Sequence, residues 1–173
     1  MVFGQASPFT LVLPLIDING SNGFRITGAS AGDALGWAVS DVGDVNGDGF
    51  ADVIAGAIYA TTGGGTGAGA AYVIFGQSSL ADMNVSTLDG TNGFKISGAA
   101  AYDLVGITVN AAGDINGDGF GDVIVGAPYA SPAGTYSGAG YVVFGKASGF
   151  AANIDLSTLS GDRKSTRLNS SHT

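Results

Sequence analysis

The sequence has 173 residues, of which 45% are hydrophobic, 12% are charged and 31 are glycine, and it contains no cysteine. Soluble domains usually carry about 25% charged residues and about 7% glycine, so this composition is typical of many turns and short strands. The net charge of -8 disfavours nucleic acid and anionic membranes as partners. The absence of cysteine excludes disulfides and thiolate chemistry.

The acidic residues and the apolar runs both argue against helices. All 14 acidic residues are aspartate, which favours turns and metal-binding loops, and none is glutamate, the better helix former. The first apolar run, 9–16, is interrupted by Pro14 and has no basic segment before it. It is therefore predicted to be neither a signal peptide nor a membrane span.

Eight short strands are predicted in chain order, because β-branched or aromatic runs are bounded by Gly, Asn and Asp. Their ranges are 24–29, 37–42, 52–57, 71–75, 94–99, 107–111, 122–127 and 140–144. The glycine-rich segments 61–69 and 131–138 are predicted loops. We therefore expect an all-β fold of antiparallel sheets.

The second four strands repeat the first four. Residues 20–60 match residues 90–130 with 25 identities in 41 positions. Val2-Phe3-Gly4 recurs twice more, at 74–76 and 143–145 with small changes, the last after a one-residue shortening. The repeat predicts units at about 2–72 and 73–141 and the start of a third at 142–161. Repeated four-stranded units are typical of β-propeller blades.

Two loops carry the same acidic pattern, D-x-N-x-D-G-x-x-D, at 44–52 and 114–122. Side-chain oxygens at loop positions 1, 3 and 5 converge on calcium when Gly at position 6 allows a sharp turn, and position 7 supplies a backbone carbonyl. We therefore predict two calcium sites. The predicted ligands are Asp44, Asn46, Asp48, the Phe50 carbonyl and Asp52 in the first loop, and Asp114, Asn116, Asp118, the Phe120 carbonyl and Asp122 in the second.

Other interpretations of these loops fit the sequence less well. A helix-loop-helix calcium site needs an acidic residue at position 12, where this chain has Ala55 and Val125. Magnesium demands a stricter octahedron and retains its waters. The remaining alternative is a metal-free Asx-turn, in which Asp and Asn bond nearby amides. Two complete copies in register favour calcium.

Four further residues are predicted to have structural roles. Asp33 and Asp103 recur at the same repeat position and are predicted to cap turns. Trp37 and Tyr102 are predicted to pack on the sheets rather than to form a ligand platform.

At these motifs the chain resembles the FG-GAP repeat family, the blades of the integrin alpha-chain β-propeller and of many bacterial extracellular proteins. The motif pieces are Phe-Gly at 75–76 and 144–145 and Gly-Ala-Pro at 126–128, although 56–58 departs with Gly-Ala-Ile. The resemblance covers nearly all of residues 2–161. It implies a seven-bladed propeller, of which this chain supplies about two four-stranded antiparallel blades and part of a third, with calcium loops on one face.

The last residues differ from the rest of the chain. Residues 162–172 contain three of the six basic residues and the single His, and they resemble the translation of a common sequencing adapter. We therefore treat 162–173 as a non-native tail and 1–161 as the repeat region. The chain is expected to be a fragment, whose first partners are the neighbouring blades of the parent protein.

The sequence favours a binding module over an enzyme. Residues 1–161 contain no His, Cys or Glu, and their basic residues are Arg25, Lys95 and Lys146, so no activated nucleophile is predicted. The first hypothesis is a calcium-stabilised extracellular or cell-surface module that binds a protein or cell-surface ligand. The alternative is the non-catalytic propeller part of a secreted hydrolase resembling glycosylphosphatidylinositol phospholipase D. A catalytic domain elsewhere in a longer reading frame would favour the second hypothesis.

Overall fold

The computed structural model describes residues 15–18, 22–79, 81–147 and 149–159. In these ranges the regular structure consists of ten strands and three short 3-10 turns. The predictions made for residues 2–4 and 162–173 lie outside the described residues. The strands are β1 (Ile26–Thr27), β2 (Leu35–Gly43), β3 (Asp52–Ala57), β4 (Ala70–Ile74), β5 (Met83–Asn84), β6 (Gly93–Ser97), β7 (Thr108–Gly113), β8 (Asp122–Ala127), β9 (Ala139–Val143) and β10 (Asn153–Asp155).

Two larger sheets contain most of the strands. The first has the order β10-β6-β4-β3-β2, in which β2, β3, β4 and β6 are antiparallel neighbours and β10 adds to β6 in parallel. The second has the order β7-β8-β9 and is antiparallel throughout. The all-β fold is therefore confirmed, and the 3-10 turns lie at Leu15–Asp17, Val85–Thr87 and Leu156–Leu159.

The boundaries of the sheets do not coincide with the boundaries of the repeat units. This corrects the prediction that the four strands of one unit form one sheet. The strand expected at 24–29 is only β1, which pairs in parallel with β5. Its repeat counterpart β6 pairs with β4 of the preceding unit, with Ala70 opposite Ser97 and Ile74 opposite Gly93. The grouping of four strands of one unit into one sheet was wrong, because β6 is hydrogen-bonded to β4 and not to β7. The unit boundaries themselves stay a prediction.

The main core lies between the two sheets. Alternate residues of a strand point to opposite faces, so Ile54, Val73 and Phe94 of the first sheet pack towards Val123 and Val125 of the second. All five are fully buried. Aromatic packing continues this core, since the rings of Phe94 and Phe150 are stacked with centroids 4.5 Å apart. The two sheets therefore share one apolar layer, as adjacent blades do.

Glycines allow the two sheets to approach closely. A Cβ atom at Gly56 would lie 2.0 Å from the carbonyl oxygen of Gly106, which leads into the second sheet. At Gly140 on β9, by contrast, a Cβ atom would meet nothing within 4 Å.

These two glycines provide a matched test of the packing. We predict that Gly56→Ala lowers the free energy of unfolding by about 1–3 kcal/mol, because the methyl group must displace backbone. Gly140→Ala should cause no loss of stability. Denaturant midpoints measured by circular dichroism would check both variants, and equal midpoints would contradict the sheet packing described here.

Candidate metal centres

Each acidic loop connects the first two strands of a sheet. The first, 44–51, joins β2 to β3, and the second, 114–121, joins β7 to β8. Each loop contains two glycines with positive φ: Gly47 at 76° and Gly49 at 88°, then Gly117 at 74° and Gly119 at 93°. Residues with a Cβ atom rarely adopt this left-handed conformation. The pattern therefore places glycine where the chain turns most sharply.

The first loop folds around its own acidic side chains. Asp44 accepts three backbone hydrogen bonds, at Oδ1 from Gly47 (2.6 Å) and Asp48 (3.1 Å) and at Oδ2 from Gly49 (2.9 Å). Asn46 Oδ1 accepts from the Asp48 amide at 3.0 Å, and Asp48 Oδ1 accepts from the Phe50 amide at 2.8 Å. These are the local bonds of an Asx-turn.

The second loop repeats this network bond for bond. Asp114 accepts from Gly117, Asp118 and Gly119 at 2.7, 3.0 and 2.9 Å. The Asn116 side chain accepts from the Asp118 amide and donates to Asp118 Oδ2, as Asn46 does with Asp48. The two loops lie in different repeat units and have the same hydrogen bonds. The acidic pattern that they share therefore determines the loop conformation.

The last aspartate of each loop has a different environment. Asp52 is fully buried and accepts two backbone hydrogen bonds, from Val45 at Oδ2 and from Gly76 at Oδ1, each at 2.8 Å. Asp122 is fully buried as well, and it accepts from Ile115 at 2.7 Å and from Gly145 at 2.9 Å. Each carboxylate therefore joins the start of its loop to the Phe-Gly segment that follows the third strand.

Burial dominates the ionisation of Asp52. Desolvation raises the pKa of this carboxyl from 3.8 to about 6, although the amides of Gly76 and Val45 oppose the shift. The negative charges of Asp48 and Asp44 add to the increase. A cation among these carboxylates would favour their charged forms, and it would therefore oppose the increase in pKa that burial and the neighbouring negative charges cause.

The structure brings the predicted ligands together only in part. Asp44, Asn46 and Asp48 lie on one hydrogen-bonded loop, and Asp52 closes that loop at its base. Within the described ranges, however, no group of three or more acidic, His or Cys side chains is arranged to hold a metal ion. The local bonds are those of the Asx-turn alternative. The two calcium sites therefore stay a prediction.

The donor chemistry of the loops nevertheless fits a hard cation. A carboxylate has about four lone-pair sites and an amide oxygen has two. Asp44 uses three of its sites, Asp48 and Asp52 use two each, and Asn46 uses one. Every predicted side-chain ligand of the first loop therefore keeps at least one lone pair that no hydrogen bond uses. All of these ligand atoms are oxygen, the element that calcium prefers.

The two loops also contact each other. The Gly121 amide donates to the Asp44 carbonyl, and the Lys146 amide donates to the Val45 carbonyl, both at 2.9 Å. A Cβ atom at Gly47 would lie 2.4 Å from Cε1 of Phe120. The first loop therefore forms part of the interface between the sheets. This packing explains why Val45 is fully buried.

The remaining predictions had mixed outcomes. The turn caps are confirmed, since Asp33 accepts from the Ser30 amide and Asp103 from the Ala100 amide, each at 3.0 Å. The prediction of sheet packing for Trp37 and Tyr102 was wrong, because these side chains are 57% and 66% exposed. Trp37 lies near the start of β2 and meets Tyr59 edge-on instead.

The buried aspartates have partners that the loop spacing alone did not predict. These are the backbone N–H groups of Val45, Gly76, Ile115 and Gly145. The available signal was the Phe-Gly dipeptide, which recurs after the acidic loop in both units at nearly the same distance from the last loop aspartate. Glycine is required there because a Cβ atom at Gly76 would lie 2.3 Å from the Ala51 carbonyl.

Comparison with known families identifies this arrangement. The family described as "FG-GAP repeat" matches residues 36–74 and 107–143, and both matches include an acidic loop. The chain contains two FG-GAP repeats. Such repeats are β-propeller blades, and the two packed antiparallel sheets agree with part of a propeller.

Curated relatives of this chain include integrin alpha chains. The chain is 32% identical to integrin alpha-PS2 of Drosophila melanogaster over 120 residues, which are 67% of this chain and 8% of that protein. It is 33% identical to integrin alpha ina-1 of Caenorhabditis elegans over 69% of this chain and 10% of that protein. For integrin alpha-4 of Xenopus laevis the identity is 32%, over 76% of this chain and 12% of that protein. The FG-GAP chain thus spans about a tenth of these relatives. Its described residues include no helix long and apolar enough to cross a membrane.

The two kinds of loop aspartate should respond differently to truncation when calcium is chelated. We predict that Asp52→Ala lowers the free energy of unfolding by about 2–6 kcal/mol, because two buried N–H groups lose their acceptor at about 1–3 kcal/mol each. Asp48→Ala removes an exposed carboxylate from the same loop and should cost less than about 1 kcal/mol. Urea unfolding with chelator present would measure both, and equal losses would contradict the structural role of Asp52.

Proposed function

We propose that this FG-GAP chain is a calcium-binding propeller module of an extracellular protein, with a structural and protein-binding role in adhesion. The observation that carries the proposal is the pair of loops with the same oxygen donors and the same internal hydrogen bonds. The proposed ligands are the ten predicted residues, from Asp44 to Asp52 and from Asp114 to Asp122.

Calcium fits these loops better than other metals. The side-chain donors are carboxylate and amide oxygens with free lone pairs, whereas zinc and copper favour nitrogen and sulfur ligands. The ordered turn at Gly47 and Gly49 already places positions 1, 3 and 5 on one short segment. Calcium tolerates irregular oxygen shells, so modest movement of exposed side chains such as Asp48 is sufficient to complete a site.

The proposed role of the ion is structural, because it would order the acidic loop. Three carboxylates on one short loop repel one another, and a divalent cation would remove that repulsion. Asp44 of the first loop offers its carbonyl to the amide of Gly121 in the second. Ordering one loop would therefore also stabilise the contact between the sheets.

The proposed biological role follows from the family. The relatives that match are named as integrin alpha chains, so we propose a non-enzymatic module that binds a protein or cell-surface ligand with the help of neighbouring blades. An extracellular location would supply enough calcium for loops of moderate affinity. The propeller part of a secreted hydrolase stays an alternative hypothesis for the parent protein.

Calorimetric calcium titration tests the proposal on the full chain. We predict about two ions per chain, one lost in Asp48→Ala, the other in Asp118→Ala, and both in the double variant. Thermal melts with calcium and with chelator should show a calcium-dependent rise in the melting temperature of the unmodified chain, which the double variant should lack.

Asp41→Ala is the matched control, because it removes one negative charge from β2 beside the first loop without removing a proposed ligand. This variant should still bind two ions. A chain that circular dichroism shows to be folded but that binds no calcium would overturn the proposal.

A further inference from the structure

The chain contains five Asn-Gly dipeptides, at 19–20, 22–23, 46–47, 92–93 and 116–117. Asparagine is a chemically labile residue. It is most labile before glycine, because a glycine has no Cβ atom to prevent its backbone nitrogen from approaching the asparagine side chain. Two of these pairs, Asn46-Gly47 and Asn116-Gly117, occupy positions 3 and 4 of the acidic loops. A reactive pair therefore lies inside each loop.

The reaction open to these pairs is deamidation through a succinimide. The backbone nitrogen of the glycine attacks Cγ of the asparagine and loses its proton to water. The Cγ–Nδ2 bond breaks, and ammonia leaves with a proton taken from water. Water then hydrolyses the succinimide at either carbonyl carbon, which gives aspartate, or isoaspartate with the main chain running through the side-chain carbonyl. Water is the co-reactant, and no group is oxidised or reduced.

In the folded second loop, hydrogen bonds hold the groups that must react. The Gly117 amide donates to Asp114 Oδ1 at 2.7 Å. The Asn116 side chain accepts from the Asp118 amide at 3.0 Å and donates to Asp118 Oδ2 at 2.8 Å. The attacking nitrogen and the carboxamide are thus both engaged with other groups. Attack requires the loop to open, so the rate of deamidation depends on how readily the loop opens.

The two loops have the same hydrogen bonds but different neighbours. A Cβ atom at Gly47 would lie 2.4 Å from Cε1 of Phe120, so the aromatic ring covers the first Asn-Gly pair. At Gly117 a Cβ atom would meet nothing within 4 Å among the described residues. Asn46 is partly buried, whereas Asn116 is exposed. The second loop should therefore open more readily than the first.

A third pair, Asn92-Gly93, lies at the start of β6 and provides a reference. Gly93 is buried, and a Cβ atom there would lie 2.2 Å from the Val73 carbonyl oxygen. The Asn92 carbonyl accepts a hydrogen bond from the Phe75 amide at 3.1 Å. Attack at this pair requires β6 to separate from β4, with which it is paired.

We propose that Asn116 is a site of spontaneous deamidation in the folded protein and that Phe120 protects the equivalent Asn46. Conversion of Asn116 to aspartate removes the N–H group that donates to Asp118 and places a fourth carboxylate in the loop. Conversion to isoaspartate lengthens the main chain between the predicted ligands. The modification thus changes the second loop irreversibly while the first loop stays intact.

The test follows the three pairs in one incubation of the full chain with chelator present. Peptide mapping by mass spectrometry measures the deamidated fraction at each asparagine against time. Each rate is divided by the rate of the same pair in denaturing urea, which corrects for local sequence. We predict a ratio at least about tenfold higher at Asn116 than at Asn92, with Asn46 closer to Asn92. Because calcium is removed, the outcome does not depend on the proposed function.

One variant tests the protection by the aromatic ring. Phe120→Ala should raise the ratio at Asn46 to within about threefold of that at Asn116, because the covered loop becomes free to open. Tyr59→Ala is the matched control, since it removes a half-exposed ring beyond the opposite end of β3 from the loop. This control should leave the rate at Asn46 unchanged. The rate at Asn92 reports folding in the same samples, because an unfolded variant would accelerate all three pairs.

The comparison within the unmodified chain decides the proposal whether or not the variant folds. Protection of Asn116 as strong as that of Asn92 would overturn the assignment of the modification site. Deamidation of Asn46 as fast as that of Asn116 in the unmodified chain would overturn the protective role of Phe120.

Discussion

The buried carboxylates of Asp52 and Asp122 are the constraint on which the rest of this structure depends. Each accepts one amide from the start of its loop and one from a glycine beyond the third strand of its sheet. A buried carboxylate without partners is costly, so the loop, the strand that follows it and the Phe-Gly segment form together. The close approach of glycine at that segment is the reason that Phe-Gly recurs with the acidic loop.

The second organising feature is the exchange of strands between sequence units. Because β6 belongs to the second unit but completes the first sheet, unfolding one unit would leave its neighbour with an open edge. The parallel pairs β1 with β5 and β6 with β10 repeat the same link one unit apart. Stability in such arrays comes from contacts between neighbours as much as from each repeat, and in this chain those contacts are the shared apolar core and the hydrogen bonds between the loops.

Local parts of this fold were predictable and long-range parts were not. The bounds of Asp52–Ala57 and Asp122–Ala127 matched the prediction because β-branched runs begin at a loop aspartate and end before a turn. The strand Met83–Asn84 has only two residues, too few to leave a pattern, and it exists because of a distant partner. The assignment of β6 to the first sheet could not be predicted for the same reason, because it depends on a strand of the preceding unit. At the loops, spacing identified Asp52 as an acidic loop residue, but its burial depends on Gly76, which lies beyond another strand.

Native-state hydrogen exchange at the Gly76 and Gly145 amides tests the role of the buried carboxylates most directly. If Asp52 and Asp122 hold these amides as described, both will exchange as slowly as the core of β3 and β8 and only through global unfolding. The amides of Val45 and Ile115 will lose their protection together with them in Asp52→Ala and Asp122→Ala respectively. Exchange at Gly76 and Gly145 as fast as at exposed loop amides such as that of Gly63 would contradict the account.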